Sequence, residues 1–156
     1  MSEKLKVRIR EAVKSDLPAI IELMEGLTIT TSKVESTGAS TLDEYENVFE
    51  EINRDPRHKL FVAEVDGRVV GSADLLIVPN LSHRALPWAI IENVIVDETM
   101  RRKGVARELV THLIETARQN RCYKVGLSSN KKRTAAHRFY KSLGFDQYGL
   151  GFRIYF

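Results

Sequence analysis

Apolar positions change their period several times along the 156 residues, and each change marks a new element. Lys6 to Glu11 alternates and predicts an opening strand. In the Lys-Ser-Asp-Leu-Pro run that comes next, Ser15 or Asp16 is placed to cap a helix whose first turn tolerates Pro18. Ile20, Leu23, Met24 and Leu27 then recur at helical spacing, giving that helix one apolar face. Thr28 to Ser40 has no strong period and reads as a long loop. Helical spacing returns from Thr41 to Asn53, with Leu42, Tyr45, Val48, Phe49 and Ile52 expected inward, and Asp55-Pro56 ends it.

The period then shortens. Lys59 to Val65 and Arg68 to Val78 are rich in Val, Leu and Ile, and Asp66-Gly67 between them predicts an antiparallel hairpin. Pro79 to Pro87 is expected as a loop, with His83 and Arg84 on the surface. Trp88 to Val96 is apolar except for Glu92 and Asn93, which predicts a central strand. Val105, Leu109, Leu113 and Ala117, joined by Val110 and Ile114, predict a helix running to Asn120. A strand over Cys122 to Leu127, a helix over Thr134 to Leu143 stopped at Gly144, and a sheet-closing strand over Gly149 to Phe156 complete the reading. All of it fits one domain, 1–156.

Composition adds limits. With 43% hydrophobic and 29% charged residues, the chain is expected to be a soluble domain with a substantial core. Its apolar runs are too short to span a bilayer, and Met1 to Arg10 alternates charge where a signal peptide would be apolar. The cytoplasm is therefore the expected compartment, with no membrane partner. The single cysteine, Cys122, excludes an internal disulfide and a cysteine-rich metal site, and its place in a predicted strand suggests a buried structural thiol.

Net charge is +3, but Arg101 to Lys141 alone holds 12 Lys and Arg against 2 Asp and Glu. A basic segment on an acidic body points to a local anionic ligand more than to general nucleic-acid affinity. The sharpest candidate is the turn Arg101-Arg102-Lys103-Gly104-Val105-Ala106, between the end of a strand near Asp97 and a helix expected to begin near Lys103. The first N–H groups of a helix lack helical partners, the macrodipole adds partial positive charge there, and Gly104 lets a phosphate approach the backbone.

That turn resembles the Gln/Arg-x-x-Gly-x-Gly/Ala acyl-CoA signature of the GNAT acyltransferase superfamily, with Ala106 at the last position. Ala136-His137-Arg138-Phe139-Tyr140-Lys141-Ser142-Leu143-Gly144-Phe145 resembles that family's second signature, in which a tyrosine precedes Gly-Phe. The two motifs occur in the family's order, within a matching order of elements. The resemblance implies an α/β (α+β) fold, a mixed, mostly antiparallel twisted sheet with splayed central strands and about four flanking helices.

It also implies an acetyl-CoA-dependent N-acetyltransferase, with acetyl-CoA as co-substrate and no metal. The pantetheine arm would pair with Val94, Ile95 and Val96, and the pyrophosphate would sit on the turn Arg101, Arg102, Lys103, Gly104, Val105, Ala106 and Arg107. Asn130 would lie near the cofactor's far half.

An amine at neutral pH is mostly ammonium, so a base must remove a proton before nitrogen attacks the thioester. Glu92, a carboxylate in an apolar strand, is the candidate base or else a group that binds the acceptor. Tyr140 resembles the family's general acid, although Ala136, Phe139, Tyr140 and Leu143 also form the stripe of a core helix. His137, one position from Ala136, is expected to face outward.

Direct transfer is expected, because Cys122 has no activating neighbour. The acceptor is a small-molecule amine or a peptide amine, expected to be cationic. Between Glu22 and Glu51 stand eight acids (Glu22, Glu25, Glu35, Asp43, Glu44, Glu46, Glu50 and Glu51) against one base, Lys33. The competing reading is a non-catalytic module of the same fold that binds CoA or nucleic acid. A homodimer is left open by the apolar side chains of the terminal segment, Phe152, Ile154, Tyr155 and Phe156.

Overall fold

The computed structural model describes residues 5–26 and 40–155. The elements run β1 (Arg8–Glu11), a 3-10 turn (Lys14–Asp16), α1 (Leu17–Glu25), α2 (Leu42–Arg54), β2 (His58–Val65), β3 (Arg68–Val78) and a one-turn α3 (Ser82–Ala85). Then come β4 (Trp88–Val96), a 3-10 turn (Glu98–Met100), α4 (Val105–Gln119), β5 (Val125–Gly126) and α5 (Thr134–Ser142). One mixed sheet of order β1-β2-β3-β4-β5 holds them together. Its first three pairings are antiparallel and the β4–β5 pairing is parallel. The expected mixed, mostly antiparallel fold is the one observed.

Alternation along the strands sorts side chains to two faces. Phe61, Ala73, Leu75, Ala89 and Ile91 meet Leu109, Val110, Leu113 and Ala117 of α4. Leu60 and Val62 instead meet Leu17 and Ile20 of α1 and Phe49 of α2. The β2–β3 hairpin forms at Asp66 and Gly67, both at positive φ (50° and 75°), as its two-residue turn requires. At the other end of the chain's core, α5 stops before Gly144.

Several expectations need correcting. The predicted caps of α1 do not cap it: Asp16 precedes the helix but instead accepts from the Val13 N–H (2.8 Å) and pairs with Arg10 (2.7 Å). The carboxylate finds a charged donor nearby, which outweighs a local cap. Thr41 does cap α2, in a reciprocal box with Glu44. On α2, Leu42 and Val48 are exposed, because only the stripe through Tyr45, Phe49 and Ile52 reaches the sheet. Leu27 and the predicted loop at 28–39 lie outside the described residues. Gly149 to Tyr155 forms no strand and closes no sheet. The strand expected over Cys122 to Leu127 shortens to Val125–Gly126, and this shortening creates the site.

Candidate active site

β4 pairs with β3 from Trp88 to Val96, but with β5 only at Ala89↔Val125 and Ile90↔Gly126. The Ala89 N–H also donates to the Lys124 carbonyl at 3.0 Å. Past Ile90 the two strands part. Among the described residues, the side of β4 that faced β5 has no further strand partner, so backbone groups from Ile91 to Val96 border an opening. This is the splay expected between central strands. Val94 and Val96 are half-buried along it and Ile95 is buried.

At the far end of β4 the chain is fixed from below and open above. The Asp97 carboxylate accepts from Thr99 N (2.8 Å) and Thr99 Oγ1 (2.6 Å), which shapes the 3-10 turn. Met100 and Val105 are buried against Ala63, Val65 and Val70, anchoring the turn on both sides. Between these anchors, Arg101, Arg102, Lys103 and Gly104 are all exposed. The helix starts at Val105, two residues later than expected, because Gly104 takes φ +88° as its N-cap. The Glu108 N–H bonds the Gly104 carbonyl at 3.1 Å, so the N–H groups of Val105, Ala106 and Arg107 precede the first helical bond. No side chain caps them. Three aligned donors at the positive end of a 15-residue helix make a receptor for a phosphate group.

The basic side chains around this turn are not all idle. Arg101 pairs with Glu98 at 3.3 Å, and Arg107 donates to Ser142 Oγ on α5 at 2.8 Å, which ties the turn to that helix. Asn130 sits in the loop before α5. Its side chain accepts from the Lys132 N–H (3.0 Å), and its carbonyl meets His137 Nε2 (3.0 Å). His137 is therefore half-buried against its own loop, not directed outward as expected, because the carbonyl of Asn130 offers it a partner.

Glu92 on β4 and Tyr140 on α5 lie near enough for the charge of the first to act on the second. Tyr140 packs against Phe139 (ring centroids 5.2 Å apart) and edge-on to Phe145 (5.8 Å), at the margin of the α4 core. Burial, with the nearby Glu92 charge, raises its pKa against the opposing pull of Arg133, so the phenol keeps its proton. Glu92 opens to solvent in the gap, yet the protein around its carboxyl raises its pKa, and the charge of Asp74 raises it further. A protonated phenol thus lies within electrostatic range of a carboxyl whose pKa stands above that of an ordinary glutamate. Cys122 is half-buried and its thiol is pushed up by that burial, leaving it a poor nucleophile.

Two residues of this neighbourhood went unnoticed in the sequence. Asp74 lies opposite Glu92 in the β3–β4 register and is only 4% exposed. His58 Nε2 lies 2.7 Å from Asp74 Oδ1, and Asn93 Nδ2 donates to Asp74 Oδ2 at 2.9 Å. A lone acid inside the apolar run Val69 to Val78 was the available signal, the same kind that marked Glu92.

Comparison with known proteins agrees with this fold. The family model described as "Acetyltransferase (GNAT) family" matches residues 23–145. A glucosamine 6-phosphate N-acetyltransferase of Trypanosoma brucei brucei is 31% identical over 156 residues, covering 99% of each chain. Among solved structures, a putative acetyltransferase from Agrobacterium tumefaciens str. C58 superposes with TM-score 0.85 at 41% identity, covering 94% of this chain and 98% of that one. A Bacillus halodurans C-125 structure titled a transcriptional regulator superposes with TM-score 0.87 at 28% identity, over 97% of this chain and 100% of the other. No helix among the described residues is long and apolar enough to cross a membrane. With both signature segments at one opening and the family model matching most of its length, the chain belongs to the GNAT acetyltransferase family.

Proposed function

We propose that this acetyltransferase, acting as one domain over 1–156, moves the acetyl group of acetyl-CoA directly to a primary amine while both substrates are bound. The observation that carries this is the opening beside β4, with phosphate donors at one end and the Glu92–Tyr140 pair farther along. Pantetheine would pair with Val94, Ile95 and Val96 as an added strand, and the pyrophosphate would take the N–H groups of Val105, Ala106 and Arg107. Arg101, Arg102, Lys103 and Asn130 would border the rest of the cofactor. Glu92 would accept the ammonium proton, directly or through water, and Tyr140 would return one to the CoA thiolate. Backbone N–H groups of β4 would steady the oxyanion between those steps. Initial rates with both substrates varied give intersecting lines for this scheme; parallel lines would mean an acetyl-enzyme.

The acidic α2 lends less support to a polycationic acceptor than its sequence did. Lys14 engages Glu46 (2.9 Å) and Glu50 (3.3 Å), Arg54 reaches Glu50 (3.4 Å), and Glu44 is used in the cap. The cation is better supplied by the reacting ammonium itself, drawn to Glu92 and Asp74. The relative named for glucosamine 6-phosphate makes an amino sugar the leading acceptor. A panel of glucosamine 6-phosphate, an unphosphorylated amino sugar, a polyamine and a basic peptide decides this. A best acceptor among the last two, with kcat/KM falling as salt rises, would restore the polycation. The module that merely binds CoA or nucleic acid is not favoured.

The proposed compartment is the cytoplasm, and the proposed assembly is a homodimer. Tyr148, Leu150, Phe152 and Ile154 alternate along the tail and are 82%, 87%, 92% and 80% exposed. β5, meanwhile, ends the strand order of the described sheet. An apolar tail beside an open sheet edge supports pairing between two copies. Light scattering of the whole chain and of a chain ending at Asp146 tests it: a dimer that becomes a monomer is expected, and a monomeric whole chain refutes it.

A further inference from the structure

β3 and β4 do not run in simple register past Glu92. Ser72 faces Ile95 and Asp74 faces Glu92, so Ala73 alone on β3 spans Asn93 and Val94 on β4. The surplus residue makes a bulge, which bends a strand and re-aims the residues beyond it. Asn93 occupies it at φ +52°, in the left-handed region that few side chains accept. Immediately beyond the bulge lies Val94 to Val96, the stretch that borders the opening. Asp74 holds the bulge from the neighbouring strand, because its Oδ2 accepts from Asn93 Nδ2 at 2.9 Å. Its other oxygen is held by His58 of β2 at 2.7 Å, so the carboxylate cannot swing away. A carboxylate with 4% exposure must be held in this way, since little water reaches it.

We infer that Asp74 is a positioning residue: it pins the β4 bulge at Asn93 that presents Val94–Val96 to acetyl-CoA, and it stands a fixed negative charge behind Glu92. The two roles use different properties of one side chain. Pinning needs only a hydrogen-bond acceptor of the right shape. Holding a proton on Glu92 needs the charge, and the rise in the Glu92 pKa from Asp74 agrees with it. The other titratable groups near Glu92 are Tyr140 of α5, itself under the influence of Arg133, and His58 of β2 behind Asp74.

The inference rests on the reading of Glu92 and acetyl-CoA given above, and four variants separate the two. In Asp74→Asn the amide oxygen can still accept from Asn93 while the charge is gone. Its KM for acetyl-CoA should stay within about threefold of the parent. The acidic limb of its kcat/KM profile should move to lower pH. Asn93→Gly keeps a residue at ease with positive φ but loses the Nδ2 donor that Asp74 holds, and Asn93→Val loses both, so both should raise the acetyl-CoA KM, Asn93→Gly several-fold and Asn93→Val roughly tenfold or more. Both are read alongside circular dichroism, and Asn93 is exposed, so folding should survive. The control is Glu92→Gln. If that variant keeps the parental pH profile, the role of Glu92 fails. If it loses the acidic limb while Asp74→Asn leaves the limb in place, the charge role of Asp74 fails. A parental acetyl-CoA KM in folded Asn93→Gly, which lacks the donor Asp74 holds, would overturn the pinning role.

Discussion

Replacing Gly104 by valine changes the phosphate turn in a way whose size can be worked out. A side chain built at Gly104 meets no atom within 4 Å, so the substitution causes no collision inside the protein. Its cost comes from the backbone, because Gly104 sits at φ +88° and a β-branched residue there is strained by about 1–2 kcal/mol. A chain of 156 residues loses roughly 2–4 °C of Tm per kcal/mol, so a fall of about 2–8 °C is expected and the fold survives. Binding should suffer more. Relief of that strain would turn the peptide that aims the N–H groups of Val105, Ala106 and Arg107. Each hydrogen bond to a charged group contributes about 1.5–3 kcal/mol, so losing one raises the acetyl-CoA Kd roughly 10- to 150-fold. Isothermal titration with acetyl-CoA, and with S-acetyl-pantetheine as a ligand lacking the pyrophosphate, isolates the effect. The loss should appear with the first ligand and vanish with the second. Parental affinity for acetyl-CoA in folded Gly104→Val would show that the pyrophosphate binds elsewhere.

Tyr140→Phe retains the ring that packs on Phe139 and Phe145 and removes only the hydroxyl, so an acid should cost about 10²-fold in kcat with Tm nearly unchanged; parental turnover would leave Tyr140 a packing residue. Glu92→Gln should abolish the rise of kcat/KM with pH through the elevated Glu92 pKa. The same elevation means that folded Glu92 binds its proton more tightly than the unfolded chain does. Its stabilising contribution is thus complete below the ordinary glutamate pKa and lost as pH rises through the elevated one. The glutamine variant should therefore gain stability relative to the parent at neutral pH, but not near pH 4, in thermal melts. Asp16 has the opposite sign: the Arg10 hydrogen bond holds its pKa below the carboxylate range. Its contribution is present above the unfolded pKa and lost as pH falls through the folded one. Asp16→Asn should cost about 1–3 kcal/mol at neutral pH by denaturant titration and progressively less in acid.

Elements that bury one face over many residues were legible from sequence. The β2–β3 hairpin, β4 and α4 each carry a period long enough to outweigh local noise, and the Asp66-Gly67 turn and the Gly104 cap add backbone demands that few residues meet. Elements set by partners were less legible. β5 looked like six residues of strand in Cys122 to Leu127, but only Val125 and Gly126 pair, because β4 and β5 separate where the cofactor is proposed to enter. The tail alternates like a strand, yet nothing among the described residues covers it. Leu42 and Val48 fit the helical stripe of α2 and miss the sheet by their angle around the helix.

The site was legible in part for the same reason. The phosphate turn and the Tyr140 segment are contiguous, so their residue order alone suggested them. Glu92 stood out against an apolar strand. Asp74 and His58 join it only through pairing of β2, β3 and β4, and register across three strands is not written in any one of them. The bulge at Asn93 is likewise a property of two strands, since its surplus residue exists only by comparison with β3.

The most direct measurement supplies purified protein with acetyl-CoA and each amine of the panel, and tracks free CoA and the mass of the acceptor together. The account predicts that CoA release and a mass gain of one acetyl group occur in equal amounts with at least one primary amine, with glucosamine 6-phosphate favoured, and that both are lost in step in Glu92→Gln. CoA release without an acetylated amine, or no turnover with any amine despite acetyl-CoA binding, would contradict it.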